Sequence, residues 1–297
     1  MVGKQERRYQ RMITVVLALI SLIMVIPLVL LVVASFTSNN EIVLHGYSFF
    51  PKELSLEAYR YIWNERAQVF HAYGITILVT AIGTTIGVMM TLLYAYVLAH
   101  EKFPGKTFLA FYLFFTMLFN GGLVPTYIMY TRYLHMKNTI PALIIPGLLM
   151  SAFNVILTRT YIQSNVPAAL SEAAKIDGAT EFQVFRKVVL PMCKPIIATV
   201  GLFAGLGYWN DWTNGLYYIT DTNKFSIQQL LNNMIKNIEF LSKNANSNIN
   251  LASVGGGIPQ ETVRMAIAIV GLLPILIVFP FVQKYFVKGM VLGSVKG

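Results

Sequence analysis

Long apolar stretches set the pattern of this chain, and short polar ones interrupt it. Met12 to Ala34, Phe70 to Ala99, Thr107 to Thr131, Asn138 to Thr158 and Met265 to Gln283 contain no Lys, Arg, Asp or Glu. As a helix rising 1.5 Å per residue, each reaches across roughly 30 Å of hydrocarbon. A sixth apolar run, from about Val189 to Tyr218, carries Asp211 near its end. The pattern predicts an all-α, polytopic membrane protein with six transmembrane helices. The first run follows KQERRYQR and has 23 residues, too many for a secretory h-region, and five more runs come after it. It is read as a retained helix.

Composition agrees. Of 297 residues 56% are hydrophobic and 12% charged, with a mean hydropathy of +0.60, which excludes an ordinary soluble domain. Charge then orients the chain. With the N-terminus inside, the inner segments hold 14 of the 23 Lys and Arg and carry about +9, against about +1 outside. Both termini are expected to be cytoplasmic, in a multi-pass protein of the bacterial cell membrane. The expected layout is a cytoplasmic tail over 1–11, a six-helix body over 12–290 and a cytoplasmic tail over 291–297. Within the body lie an inner segment at 165–191 and an outer loop at 219–261. The net charge of +10 is a consequence of topology, so no nucleic-acid partner is expected. The single cysteine, Cys193, excludes an intramolecular disulfide.

Small and helix-breaking residues mark particular places within the spans. Gly83 and Gly87 form a GxxxG, which allows another helix close approach. Asn120-Gly121-Gly122 and Pro125 predict a kink or local unwinding in the third span. Helix packing and a pathway-lining role are both open for each.

The inner segment, EAAKIDGATEFQVFRKVVLP from Glu172 to Pro191, departs from the apolar pattern. Pro167 suits a first helical turn and AALSEAAKI continues it as a strong helix former. Gly178 ends that helix, being free to adopt positive φ. Thr180 and Gln183 match a capping box for a second short helix, expected to end before Pro191. The result is helix, turn, helix. Ala173 and Ala174 leave one surface nearly bare; Leu170, Phe182 and Phe185 offer apolar contacts, ringed by Glu172, Asp177, Arg186 and Lys187. A lipid-surface helix would show a continuous apolar face with basic flanks instead.

The spacing Glu172-Ala173-Ala174, Gly178, Val188 and Leu190-Pro191 resembles the EAA motif of ABC importer permeases. Val188 stands where isoleucine is more usual. The fuller PAALSEAAKIDGATEFQVFRKVVLP is similar to the carbohydrate-uptake, maltose-type branch, as are WNDW at Trp209 to Trp212 and the KGMVLGSVKG tail. The resemblance runs from the second span to the C-terminus. It implies the type I ABC importer permease fold and makes the EAA segment a coupling helix that docks into a separate ATPase subunit. Its coupling residues are then Glu172, Ala173, Ala174, Asp177, Gly178, Ala179, Leu190 and Pro191. The implied partners are a second permease, usually a different chain, two ATPase subunits and an extracytoplasmic solute-binding protein. The implied substrate is a sugar or oligosaccharide, with complex-glycan fragments nearest. ATP and Mg belong to the ATPase subunits, and this chain needs no cofactor.

Motifs for catalysis are missing. PGKT at Pro104 to Thr107 has His100 where a phosphate-cradling Walker loop needs its first glycine. His45, His71, His100 and His135 stand singly, without metal-ligand spacing. The stretch YWNDWTNGLYY, Tyr208 to Tyr218, joins rings and amides suited to sugars, and also suits an interfacial aromatic belt. Tyr208, Trp209, Asn210, Asp211, Trp212, Asn120 and Asn154 are the candidate pathway residues. Asp211 is an acid at membrane depth, where such groups face a cavity or partner. The outer loop, with SKNANSNIN and GGGIPQE, reads as a linker or, by the resemblance, as a reach into the binding protein. A non-sugar ABC permease is an alternative. A secondary transporter is a weaker one, since inverted repeats are not seen. A membrane-embedded enzyme would need a second catalytic group beside Asp211.

Overall fold

The computed structural model describes residues 4–100, 103–245 and 260–294. The expectations for Lys102, for the polar stretch of the outer loop between 246 and 259, and for the last three residues lie outside them. The described residues are mostly helical, with one isolated antiparallel bridge between Thr37 and Leu54. Among the described residues three helices are long and apolar enough to cross a membrane, within Arg8–Ser35, Arg66–Ala99 and Gln260–Pro280. Two more stretches qualify only as bent pairs. Lys106–Leu118 with Leu123–Tyr133 turns by 114°, and Glu181–Met192 with Lys194–Asn210 turns by 81°.

The chain divides into two compact units. The first comprises Met1–Val69 and Leu231–Pro274. Here α1 (Lys4–Ser35) leads into two short helices, α2 (Asn39–His45) and α3 (Glu57–Asn64). The loop between them folds back on itself: Ser38 N–H donates to the Glu53 carbonyl at 2.9 Å and Ser55 N–H to that of Phe36 at 2.8 Å. The Glu41 carboxylate accepts the N–H groups of Lys52 and Glu53, both at 2.6 Å. These two donors, Lys52 first, hold its carboxyl below the usual carboxylate range. At the start of the last helix, Glu261 accepts the Tyr47 hydroxyl at 3.0 Å, and Arg264 reaches Glu261 at 3.2 Å.

The second unit comprises Phe70–Leu230 and Ile275–Gly297, and most of it is built around α4 (Arg66–Ala99). It continues through α5 (Lys106–Leu118), α6 (Leu123–Ile128), α7 (Pro141–Ile144), α8 (Ala152–Asn165), α9 (Ala168–Ile176), α10 (Glu181–Val184), α11 (Leu190–Met192), α12 (Lys194–Asn210) and α13 (Thr213–Tyr218). The helices α14 (Ile227–Ala245) and α15 (Gln260–Ser294) are shared between the units, α14 from Leu231 onward and α15 as far as Pro274 belonging to the first. One apolar cluster gathers Leu92, Ala95 and Leu98 of α4 with Val155, Val184, Phe185 and Val189. A second gathers Val79 with Leu143, Tyr208 and Tyr218.

The GxxxG of α4 is a packing face. The Tyr208 ring lies directly on Gly83, and a Cβ at Gly87 would sit 2.6 Å from the Leu149 carbonyl oxygen. The kink expected in the third span is present. Gly122 takes φ +84, and the Asn120 side-chain oxygen accepts its N–H at 2.8 Å, closing a local turn that replaces the helical bond.

Two spans expected to be continuous are divided. The Asn138 to Thr158 run splits into α7 and α8, because Pro146 lacks an N–H and Gly147 takes φ +72. The run from Val189 to Tyr218 breaks at Cys193 and again at Asp211, whose backbone is extended at φ −74, ψ 114. The Asp211 carboxylate accepts the N–H groups of Thr213 and Asn214 at 3.1 and 3.3 Å. It thereby starts a new helix, α13, in place of continuing the old one.

Candidate functional site

The inner segment folds as helix, turn, helix. Pro167, at φ −61 and ψ 128, precedes α9, where its missing N–H costs nothing. Gly178 stands at φ +83. Around it the Gly178 N–H donates to the Lys175 carbonyl at 3.0 Å and the Ala179 N–H to that of Ala174 at 2.9 Å, satisfying carbonyls the helix end would leave open. The capping box is complete: Gln183 N–H donates to Thr180 Oγ1 at 3.4 Å, and Thr180 N–H to Gln183 Oε1 at 2.9 Å.

The second helix does not end before Pro191. After α10 the backbone widens into a π-helical turn over Phe185–Val189 and resumes as α11, with Pro191 in its first turn. Proline is accommodated there because a first turn asks for no N–H donor. The sharp break comes two residues later, at Cys193.

The segment has two faces. Val184, Phe185 and Val189 are buried in the α4 cluster, while Ala174, Ala179 and Leu190 are half-buried against it. The other face leaves Leu170, Phe182 and above all Ile176, 86% exposed, to solvent. Glu172, Asp177, Arg186 and Lys187 are also exposed, and none forms an ion pair among the described residues. Ala173 is exposed, and a Cβ added at Gly178 would meet nothing within 4 Å. This outward face thus carries charges of both signs around large apolar side chains.

One cluster escaped the sequence. Glu181 pairs with Lys175 through Oε1, and the Tyr96 hydroxyl donates to Oε2 at 2.9 Å. His100 Nε2 lies 3.8 Å from Oε2, and the Tyr96 ring packs against His100 and Phe185 at 4.7 and 5.2 Å between centroids. These residues come from opposite ends of a long sequence separation, so no local pattern announces them.

The other end of α12 carries the aromatic and amide residues. Tyr208 is buried, and its hydroxyl donates to the Ile144 carbonyl at 3.0 Å. Trp209 lies 6.3 Å from the Tyr73 ring, Asn210 donates to the Leu206 carbonyl at 3.0 Å, and Trp212 is exposed. Asn214, buried, donates to the Pro146 carbonyl at 2.9 Å and so pins α13 to the α7–α8 break. Beside it, Asn138 at φ +59 accepts the N–H groups of Thr220 and Asp221 through one oxygen, at 2.6 and 3.1 Å. Asn120 lies separately at the α5–α6 break, and Asn154 is half-buried on α8, its carbonyl accepting the Thr158 hydroxyl at 2.7 Å. Tyr208, Asn120 and Asp211 therefore all have structural partners. Neither Asn138 nor Asn214 was singled out beforehand; a lone amide in a loop carries no distinguishing sequence signal.

Residues 83–292 match the family described as "Binding-protein-dependent transport system inner membrane component". The chain belongs to this family. The permease is 36% identical to the "Polygalacturonan/rhamnogalacturonan transport system permease protein YtcP" of Bacillus subtilis, over 99% of this chain and 100% of that protein. It is 26% identical to the "Arabinooligosaccharides transport system permease protein AraQ" of Halalkalibacterium halodurans, over 96% of each. A chain of a solved bacterial ABC transporter "involved in the import of the acidic polysaccharide alginate" superposes with a TM-score of 0.75 at 27% identity, over 96% of this chain and 99% of that one. The permease is accordingly a multi-pass component of the cell membrane in a binding-protein-dependent ABC importer, and a transport subunit rather than an enzyme.

Proposed function

We propose that the permease forms half of the translocation pathway for a sugar or oligosaccharide and couples to a separate ATPase through residues 165–191. The observation that carries the coupling reading is the built turn at Gly178, which presents Ile176, Phe182 and unpaired charges away from the body. Glu172, Ala173, Ala174, Asp177, Gly178 and Ala179 form or adjoin that outward face. Leu190 and Pro191 hold its far end to α12.

In this reading a second permease, a different chain, completes the pathway, and two ATPase subunits bind ATP and Mg. A solute-binding protein delivers substrate from outside. ATP binding draws the ATPases together, moves the two coupling segments and exchanges inward for outward access, a population shift between two conformations. The six crossings comprise the three continuous helices, the bent α5–α6 pair, the α7–α8 pair as a broken span, and α12, which follows the coupling segment after the 81° bend. Both termini lie in the cytoplasm, with tails at 1–11 and 291–297 around a body at 12–290. The outer loop at 219–261 faces the binding protein. Relatives named for polygalacturonan and arabinooligosaccharide transport support a glycan substrate over a non-sugar solute. Trp209, Asn210 and Trp212 are the best-placed pathway candidates, since Tyr208 is enclosed.

The test is co-purification of the tagged permease with its ATPase from membranes, in wild type and in Glu172→Lys. The wild type retains the ATPase and the charge reversal sheds it. Retention of a full complement by Glu172→Lys, together with normal uptake, overturns the coupling assignment.

A further inference from the structure

Within the coupling segment, α9 has a peculiar status: it carries the Glu172-Ala173-Ala174 surface, yet not one of its residues is buried. The second half of the segment is anchored by Val184, Phe185 and Val189, deep in the apolar cluster. Of α9, Ala174 alone packs against that cluster, and only half-buried, so polar contacts carry much of what fixes the helix. The groups present for this converge on one carboxylate. Glu181, at the start of α10, gives Oε1 to Lys175 of α9 and Oε2 to the Tyr96 hydroxyl of α4 at 2.9 Å. His100, just beyond α4, completes the group at 3.8 Å from Oε2 and 3.4 Å from Lys175 Nζ. Both oxygens of a single side chain thus tie three elements.

We propose that Glu181 is a positioning residue, the joint that makes α9 and the inner end of α4 move as one body when the ATPase pulls on the segment. The inference rests on the coupling reading above. Its direction follows from the packing of α4, because the same helix receives Tyr208 on Gly83 and the Leu149 carbonyl on Gly87. A displacement of α9 passed to α4 through Glu181 therefore reaches the walls formed by α12 and the α7–α8 break. Phe185 assists, its ring tilted against that of Tyr96, but apolar contact alone permits sliding and rotation, whereas a hydrogen bond from Tyr96 to a charged acceptor fixes distance and direction. The carboxylate is more than half exposed, so solvent screens the pair with Lys175 and the Tyr96 bond is the more important tie.

The experiment places spin labels at Ala168→Cys on α9 and Leu93→Cys on α4, in the complete complex with its ATPase, reconstituted in lipid vesicles. The native Cys193 is fully buried and does not compete for label. Distances are read without nucleotide and after trapping with Mg-ATP and vanadate. The wild type should show one narrow distance that is the same in both states. Glu181→Ala and Tyr96→Phe should keep the ATPase subunits bound, yet broaden the distance and make it shift on trapping. The double variant should be no worse than either single variant, as expected for two ends of one interaction. A wild-type distance that changes on trapping, unaltered narrow distances in both variants, or additive effects each overturn the joint. Loss of the ATPase from Glu181→Ala also overturns it, by showing that Glu181 shapes the docking surface. Glu172→Lys and Gly178→Val serve as the companion test. If both bind the ATPase and respond to nucleotide like wild type, the coupling reading itself has failed. If they lose it while Glu181→Ala keeps the narrow distance, only the joint has failed.

Discussion

Gly178 offers a substitution whose cost can be traced to one cause. Its φ of +83 lies in the left-handed region, and a Cβ built there meets nothing within 4 Å. The penalty for a side chain is then purely one of backbone conformation, about 1–2 kcal/mol for an ordinary L-residue and more for a β-branched one. Asparagine, which tolerates this region, should cost least. A penalty of about 1.4 kcal/mol corresponds to a tenfold fall in the equilibrium constant for holding the turn. Gly178→Ala should accordingly lower coupled uptake by up to about tenfold, Gly178→Val by more, and Gly178→Asn least of the three. The assay is uptake per ATP hydrolysed in vesicles containing the complete importer, with the bound ATPase quantified in parallel. Insertion should be unaffected in all three, since no span is touched. The order Asn, Ala, Val is the diagnostic. Loss in Asn equal to that in Val would mean that bulk in the docking groove matters instead of the turn. Wild-type coupling in Gly178→Val would refute the reasoning outright.

Further outcomes are expected elsewhere. Gly87→Ala should lower the thermal unfolding midpoint in detergent, by the equivalent of about 1–3 kcal/mol, because its Cβ meets a backbone oxygen at 2.6 Å. Gly205→Ala, whose nearest neighbour would be 3.6 Å away, should be neutral or slightly stabilising through helix propensity; equal losses in both would contradict the packing assignment of α4. Asp211→Asn keeps an acceptor for the Thr213 and Asn214 N–H groups while Asp211→Ala does not, so uptake preserved by Asn and lost by Ala would assign Asp211 to capping, and loss in both with normal assembly would assign its charge to the pathway. After α13, Lys224, first, and the Asn223 N–H hold the Asp221 carboxyl below its ordinary range. Its contribution to the 222–224 turn is thus complete above the unfolded carboxylate value and disappears as pH falls through the lowered one; amide exchange at Asn223 should speed up only in that acid window. Impermeant labels introduced at Lys4 and Gly297 should react only from the cytoplasmic side, and reaction of either from outside would reverse the topology.

The apolar runs and the EAA spacing were legible because both are local. A run of about twenty residues without charge has no option in water, and the helical outcome follows from the need to satisfy every backbone group internally. Gly178, Thr180 and Gln183 were equally legible, since a positive φ and a capping box involve residues only a few positions apart. The family followed from the same local spacing. Where each helix stops was less accessible. Asp211 reads as an acid at membrane depth, and only its bonds to Thr213 and Asn214 show it ending one helix and starting the next. Pro146 and Gly147 signalled a break that the apolarity of their neighbours concealed. The meeting of Tyr96, His100, Lys175 and Glu181 was decided by tertiary structure alone, as was the seating of Tyr208 on Gly83. Such contacts depend on which helix faces bury together, and that choice is made by packing across the whole unit, with residues far apart in sequence meeting only once the helices are in place.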